Sequence, residues 1–386
     1  MSSRYTHQLW QLRYVALGFA LFLAILTQPA RGGLMLTTVI SFAGTNGSTP
    51  MGTLVQGRDG NFYGVTQNGG SSNAGTIFRL TGDGTLTTLV NFTNANGALP
   101  HAGLVQGMDG NFYGTTSFGG AYGTAPGNGT VFEMTPDGTL TTLFSFDGTN
   151  GASPDAELVE SVDGNLYGTT SDGGRYTNTL SGYGYGTVFS INSAGHLRTV
   201  IYFDGTNGGS PWAPLVKGRD GNLYGNTRIW FDAAASNFSP GTFFSLTTNG
   251  TLTTLMTFDG TNSGPSLFGL VQAADGSFYE MSERGTNVDL NGFPLGTILQ
   301  LRPNGSSAVL HAFNGTDGDL PRGLMLGSDG NFYGMTGSGG ASYTGTIFGS
   351  SAQNGTVFKM TPDGGVHDLG RFHKQRNALW WFAARE

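Results

Sequence analysis

The segment Asp109-Gly110-Asn111-Phe112-Tyr113-Gly114 returns, with small changes, at Asp59, Asp163, Asp220, Asp275 and Asp329. Successive copies start 50, 54, 57, 55 and 54 residues apart. This period constrains the fold more than any other property of the chain. Each copy must be the same supersecondary unit, and each must bury its apolar face against its neighbours.

The unit reads as four strands. In the second copy, residues 104–107 (LVQG) form a short apolar run, and Asp109-Gly110 signals a tight turn. Residues 111–116 (NFYGTT) make a second strand. After a variable Gly-rich loop, residues 129–134 (GTVFEM) make a third. Pro136-Asp137-Gly138 turns the chain into a fourth, residues 140–146 (LTTLFSF), before the DGTNG loop leads to the next copy. Beyond the N-terminal segment no helical periodicity occurs. Four short antiparallel strands per unit predict an all-β fold, a β-propeller of four-stranded blades with six blades. A seven-bladed ring would need most of a further blade. An open β-solenoid usually has coils shorter than this period, and D-G hairpins argue for meanders instead.

Ring closure is ambiguous. A lone fourth-type strand, residues 36–42 (LTTVISF), precedes the first copy, and the last copy ends on its own fourth strand, residues 366–372. Twenty-five strands compete for the 24 places of a six-bladed ring, so one terminal strand is expected to displace the other.

The repeat LVQGxDGNFYGTT, then GG, then GTVFxMTPDGTLTTLxSF with DGTNG resembles the Gloeobacter/Verrucomicrobia (GloVer) tandem repeat over residues 36–372. The resemblance implies a bacterial secreted or surface-exposed protein. It brings no established activity, and so no catalytic residues. Some relatives carry a C-terminal anchoring segment, and no such motif follows residue 372 here.

The ends of the chain differ from the repeats. Arg4, His7 and Arg13 precede an apolar run at residues 14–27, followed by Ala30-Arg31-Gly32. Residues 1–33 therefore read as a secretory signal peptide, with the repeats at 34–372 secreted or held in the cell envelope. The run is short for a membrane span. Residues 373–386 (HKQRNALWWFAARE) are basic and Trp-rich, and form an atypical tail.

Composition removes several function classes. There is no Cys, which excludes disulfides, thiolate metal sites, a Cys nucleophile and Cys lipidation. Net charge is −7 and the repeats hold no basic cluster, so nucleic acid is not an expected partner. The recurrent Asp of D-G-N could ligate calcium, but a hairpin turn needs that Asp-Gly pair anyway, so no cofactor is expected. The recurrent Phe and Tyr read as a packing layer between blades.

Residues repeated six times serve the blade, so residues that break the repeat are the candidates for function. Connections between fourth and first strands, and between second and third strands, fall on one face of a propeller. At or just after the Pro of the first connection the copies carry Met51, His101, Asp155, Trp212, Ser266 and Arg322, all different. The second connection diverges most in copies four and five. Copy four has Arg228-Ile229-Trp230-Phe231-Asp232. Copy five has Glu280, where the other copies have Gly, then Glu283 and Arg284. Trp212, Arg228, Trp230, Asp232, Glu280, Glu283 and Arg284 therefore form a candidate patch for a glycan or a protein, with Trp stacking and Arg bidentate contacts. The blander expectation is that Arg228 and Glu283 simply pair across neighbouring blades. An enzymatic alternative, a carbohydrate-active hydrolase or lyase, would use Glu280 and Glu283 as an acid–base pair. A purely structural envelope protein is the third possibility.

Overall fold

A computed structural model describes residues 20–22, 38–122, 127–176, 184–228, 231–232, 237–238, 241–258, 269–283, 285, 287–290, 292–340 and 355–371, with backbone alone at 20–22, 231–232, 237–238 and 368–371. The protein is an all-β, six-bladed β-propeller of four-stranded antiparallel blades, with no helix among the described residues. Residues 373–386 lie outside the described residues.

The second blade shows the plan. Its strands are Val105–Gln106, Phe112–Thr116, Thr130–Met134 and Leu140–Ser145, each hydrogen-bonded to the next in chain order. The third strand pairs with the fourth through a register shift between Val131 and Phe132. The same shift recurs at Ile77/Phe78, Val188/Phe189, Phe243/Phe244, Ile298/Leu299 and Val357/Phe358. A bulge at a fixed place increases the local twist of every sheet in the same way, so successive blades keep the same shape.

The repeated residues explain themselves locally. Gly110 follows Asp109 with φ +90°, a left-handed conformation that a Cβ would strain. Asp109 accepts the backbone N–H of Asn111 and the hydroxyl of Tyr113, 2.6 Å away. Asp59, Asp163, Asp220 and Asp329 hold Tyr63, Tyr167, Tyr224 and Tyr333 in the same way. Tyr and Phe then pack between blades, with ring centroids 4.1 Å apart for Tyr63–Phe112, 4.3 Å for Tyr224–Phe278 and 4.2 Å for Tyr279–Phe332. Five apolar clusters fill the five junctions from blade one to blade six.

As expected of a chain with one strand too many, one terminal strand holds the last place and the other is displaced from it. The sixth blade keeps its own outer strand, Val366–Arg371, and Thr38–Ser41 pairs instead with Ala20–Phe22, inside the segment read as a leader. The N-terminal strand is the one left out of the six blades, in a two-stranded sheet of its own.

Candidate functional site

Residues that break the repeat fall in two staggered sets. One set follows the Pro before the first strand. The other lies at or just beyond the end of the second strand, where the blades carry Gln67, Ser117, Ser171, Arg228, Glu283 and Gly337 in turn. At three junctions the post-Pro residue of one blade meets the second-set residue of the blade before it: His101 meets Gln67, Asp155 meets Ser117 and Arg322 meets Glu283.

On blades one to three this stagger makes a continuous chain of contacts. His101 Nε2 meets Gln67 Nε2 of blade one. His101 Nδ1 lies 3.1 Å from Asp155 Oδ1 of blade three and 3.1 Å from Ser117 Oγ of its own blade. Ser117 donates to Asp155 Oδ1, and Ser171 donates to Asp155 Oδ2 at 3.0 Å. Ser117 and Ser171 are buried, the Asp155 carboxylate is nearly so, and His101 keeps 26% of its side chain exposed. Beside this chain, burial pushes the Asp172 carboxyl up to about 7, helped by the charge of Asp155 and opposed by a hydrogen bond from Ser153.

This is not a serine-hydrolase triad. In a triad the hydroxyl and the carboxylate contact opposite ring nitrogens, so that the imidazole takes the hydroxyl proton while the carboxylate orients the ring and stabilises its charged form. Here both sit at Nδ1, and the Ser117 proton goes to the carboxylate directly. The arrangement holds the imidazole in one orientation and presents its edge on the loop face.

Across the ring, Arg322 of blade six pairs with Glu283 of blade five at 3.4 Å. Arg228 is not the partner of Glu283. The stagger places Glu283 under the post-Pro residue of the following blade, and Arg228 belongs to the blade before. Nearby, Asp319 is fully buried and accepts from Ser338 Oγ at 2.9 Å. Burial raises its carboxyl to about 6, with the charges of Asp289 and Glu283 adding to the effect.

Glu280 leaves the candidate patch. It is fully buried between blades four and five, and its Oε2 accepts Asn226 Nδ2 at 2.8 Å. Burial raises its carboxyl to about 8. The other blades need Gly at this position. A Cβ at Gly114 would lie 2.5 Å from Phe132 Cζ, and one at Gly225 2.6 Å from Phe244 Cζ. Blade five faces Glu280 with Leu299 instead of Phe, and the shorter side chain makes the room. Glu280 and Glu283 therefore do not converge on one substrate atom, and the acid–base pair is not formed.

Trp212 is half-buried on the loop face, in the post-Pro set. The backbone of Asp232 lies in a small strand pair with Asn237, while its side chain, Trp230 and Arg284 lie outside the described residues. Sequence reading named His101 and Asp155 as repeat-breaking but not as a pair. It did not single out Gln67, Ser117 or Ser171 at all. The signal was present, because the residue at the end of the second strand also varies, with five residue types among the six copies. Among the described residues no group of His, Asp and Glu is arranged to hold a metal ion.

Solved structures with a similar ring are distant in sequence. A protein assigned as a 6-phosphogluconolactonase from Bacteroides uniformis is 17% identical, with 86% of this chain and 85% of that one covered and a TM-score of 0.52. An ulvan lyase solved with a GlcA–Rha3S repeat bound is 12% identical, with 86% and 87% covered and a TM-score of 0.52. These likenesses carry the fold alone. No match is found among curated protein sequences. The Gloeobacter/Verrucomicrobia repeat, in contrast, matches twice, over residues 26–180 and 175–348. With its six blades and their repeated Asp–Tyr clasps, this chain belongs to the Gloeobacter/Verrucomicrobia repeat family.

Proposed function

We propose that the protein is a binding module that uses its loop face to hold a glycan or a protein outside the cytoplasm, reached by way of the N-terminal apolar run. The observation that carries this reading is the contact chain Gln67–His101–Ser117–Asp155–Ser171, which crosses three blades on repeat-breaking residues alone. Side chains tied to one another in this way are fixed before a ligand arrives, so little ordering entropy is lost on binding. Trp212 offers a ring for stacking, and the Arg322–Glu283 pair offers a charged rim. A glycan and peptide array probed with the purified full chain tests this. Selective binding that is lost in both His101→Ala and Trp212→Ala supports it. Binding to neither class, by a chain whose circular dichroism shows the folded sheet, refutes it and leaves a structural role.

One observation favours a second reading, a polysaccharide lyase. Burial and the charge of Asp155 push the Asp172 carboxyl up to about 7, and such a group exchanges protons readily at neutral pH. The ulvan lyase with a similar ring makes uronate polymers the substrates to try. Appearance of unsaturated products, absent in Asp172→Asn, would establish this reading over the first.

A further inference from the structure

Four of the five junctions between consecutive blades share one ring pair. The Phe after the outer strand lies on a third-strand Phe of the next blade, with centroids 5.4 Å apart for Phe92–Phe132, 5.2 Å for Phe146–Phe189, 5.8 Å for Phe203–Phe244 and 5.6 Å for Phe313–Phe358, while at the junction of blades four and five Phe258 clusters with Leu299 instead. The turn between third and fourth strands leans on the same outer strand. A Cβ at Gly138 would meet Leu89 at 3.2 Å, and one at Gly250 would meet Val200 at 3.6 Å.

The seam between blade six and blade one is different. Tyr333, Val357 and Leu324 on blade six, with Phe62 and Leu54 on blade one, are only half-buried. Their counterparts Tyr113, Val131, Leu104 and Phe112 are buried. The outer strand lying on blade one is not Val366–Arg371 of blade six. It is Thr38–Ser41. Phe42, which follows it, lies 5.1 Å from Phe78, and a Cβ at Gly84 would meet Val39 at 3.4 Å. Thr38–Ser41 thus holds the place of an outer strand of a further sheet.

Its partner completes the pattern. Ala20 faces Ser41 and Leu21 faces Ile40, then the register shifts and Phe22 faces Thr38. In blade one Thr76 faces Asn91 and Ile77 faces Val90, then the register shifts and Phe78 faces Thr88. The two pairings match residue for residue, including the bulge. They place Leu21 at the β-branched position of a third strand and Phe22 at its Phe position.

We propose that Ala20–Phe22 is the third strand of a partial seventh sheet seated in the seam, so that these three residues of the N-terminal apolar run are a structural element of the uncut chain. A chain cut after residue 32 loses that strand. The inner edge of Thr38–Ser41 is then unpaired, the kind of edge that accepts a β-strand from elsewhere.

The absence of Cys makes the test clean. In the full chain, Leu21→Cys/Ile40→Cys places two thiols on facing residues, whereas Leu21→Cys/Val39→Cys is one residue out of register and points them to opposite faces. The expected result is an intramolecular disulfide in the first pair and none in the second. A cross-link between two chains, which would make a second copy the strand donor, overturns the proposal. So does a folded chain that forms no cross-link. Hydrogen exchange gives an independent readout. Leu21→Pro removes a backbone donor from the pairing. It should speed exchange at residues 38–41 by about tenfold or more while leaving blades two to five unchanged. Unchanged exchange at 38–41 would overturn the proposal as well.

Discussion

Glu280 makes the stability of the propeller depend on pH in a way that a single substitution removes. Its carboxyl is fully buried between blades four and five, where it accepts a hydrogen bond from Asn226. Burial moves the group from an ordinary 4.5 to about 8 in the fold. In the unfolded chain it ionises near its ordinary value. Between these two values the unfolded chain binds fewer protons than the folded one. The stabilisation that comes from a neutral Glu280 is therefore complete below the unfolded value and is lost as pH rises through the folded one. A tenfold difference in proton affinity between the folded and unfolded chain corresponds to about 1.4 kcal/mol, so the whole effect is about 5 kcal/mol, of which ~3 kcal/mol falls between pH 5 and pH 8. Glu280→Gln keeps the shape and an oxygen for Asn226 but cannot ionise. Urea unfolding of both proteins across this range, followed by Trp fluorescence, gives the comparison. Asp172 and Asp319 titrate in both proteins, so their contributions cancel in the difference. The expected outcome is a variant that gains stability relative to the parent steadily as pH rises, by ~3 kcal/mol over the range. Parallel profiles would refute the reasoning. They would mean that Glu280 is already ionised in the fold, or that solvent reaches it between the blades.

Four further outcomes follow from the same geometry. Leu299→Phe restores the side chain of the other blades and collides with Glu280, so it should cost about 1–3 kcal/mol in urea unfolding. The double variant Glu280→Gly/Leu299→Phe should recover most of that loss, since it rebuilds the contact seen at Gly225 and Phe244. Gly114→Ala should lower the unfolding midpoint clearly, because the added Cβ lies 2.5 Å from Phe132 Cζ. Asp155→Asn should lower the Asp172 titration midpoint, followed by NMR of the carboxyl carbon, yet leave it above the ordinary aspartate value, because burial is the larger cause.

Glu280 also shows what the sequence displays and what it hides. The period, the Asp-Gly turns and the four-strand unit are local, and local signals were enough for the blade and for its family. The clash that forbids a Cβ at Gly114 is also local to one blade, between neighbouring strands. It left a trace in the sequence. The one copy with Glu in place of that Gly is also the one copy with Leu299 in place of Phe78, Phe132, Phe189, Phe244 and Phe358. Two departures in the same copy mark a compensated interior change, whereas a single departure on a loop marks a surface change. Comparing one column at a time made Glu280 look like a ligand-facing residue. Contacts between blades are harder to read. That Glu283 meets Arg322, and His101 meets both Gln67 and Asp155, depends on how far each sheet is rotated relative to the last, and no window of sequence shorter than two blades records that rotation. The stagger follows one rule, however, at the three junctions where it is seen. There the residue after the Pro meets the residue near the end of the preceding blade's second strand, His101 with Gln67, Asp155 with Ser117 and Arg322 with Glu283. Carried to the next junction, that rule predicts Trp212 over Ser171, which would extend the contact chain toward blade four.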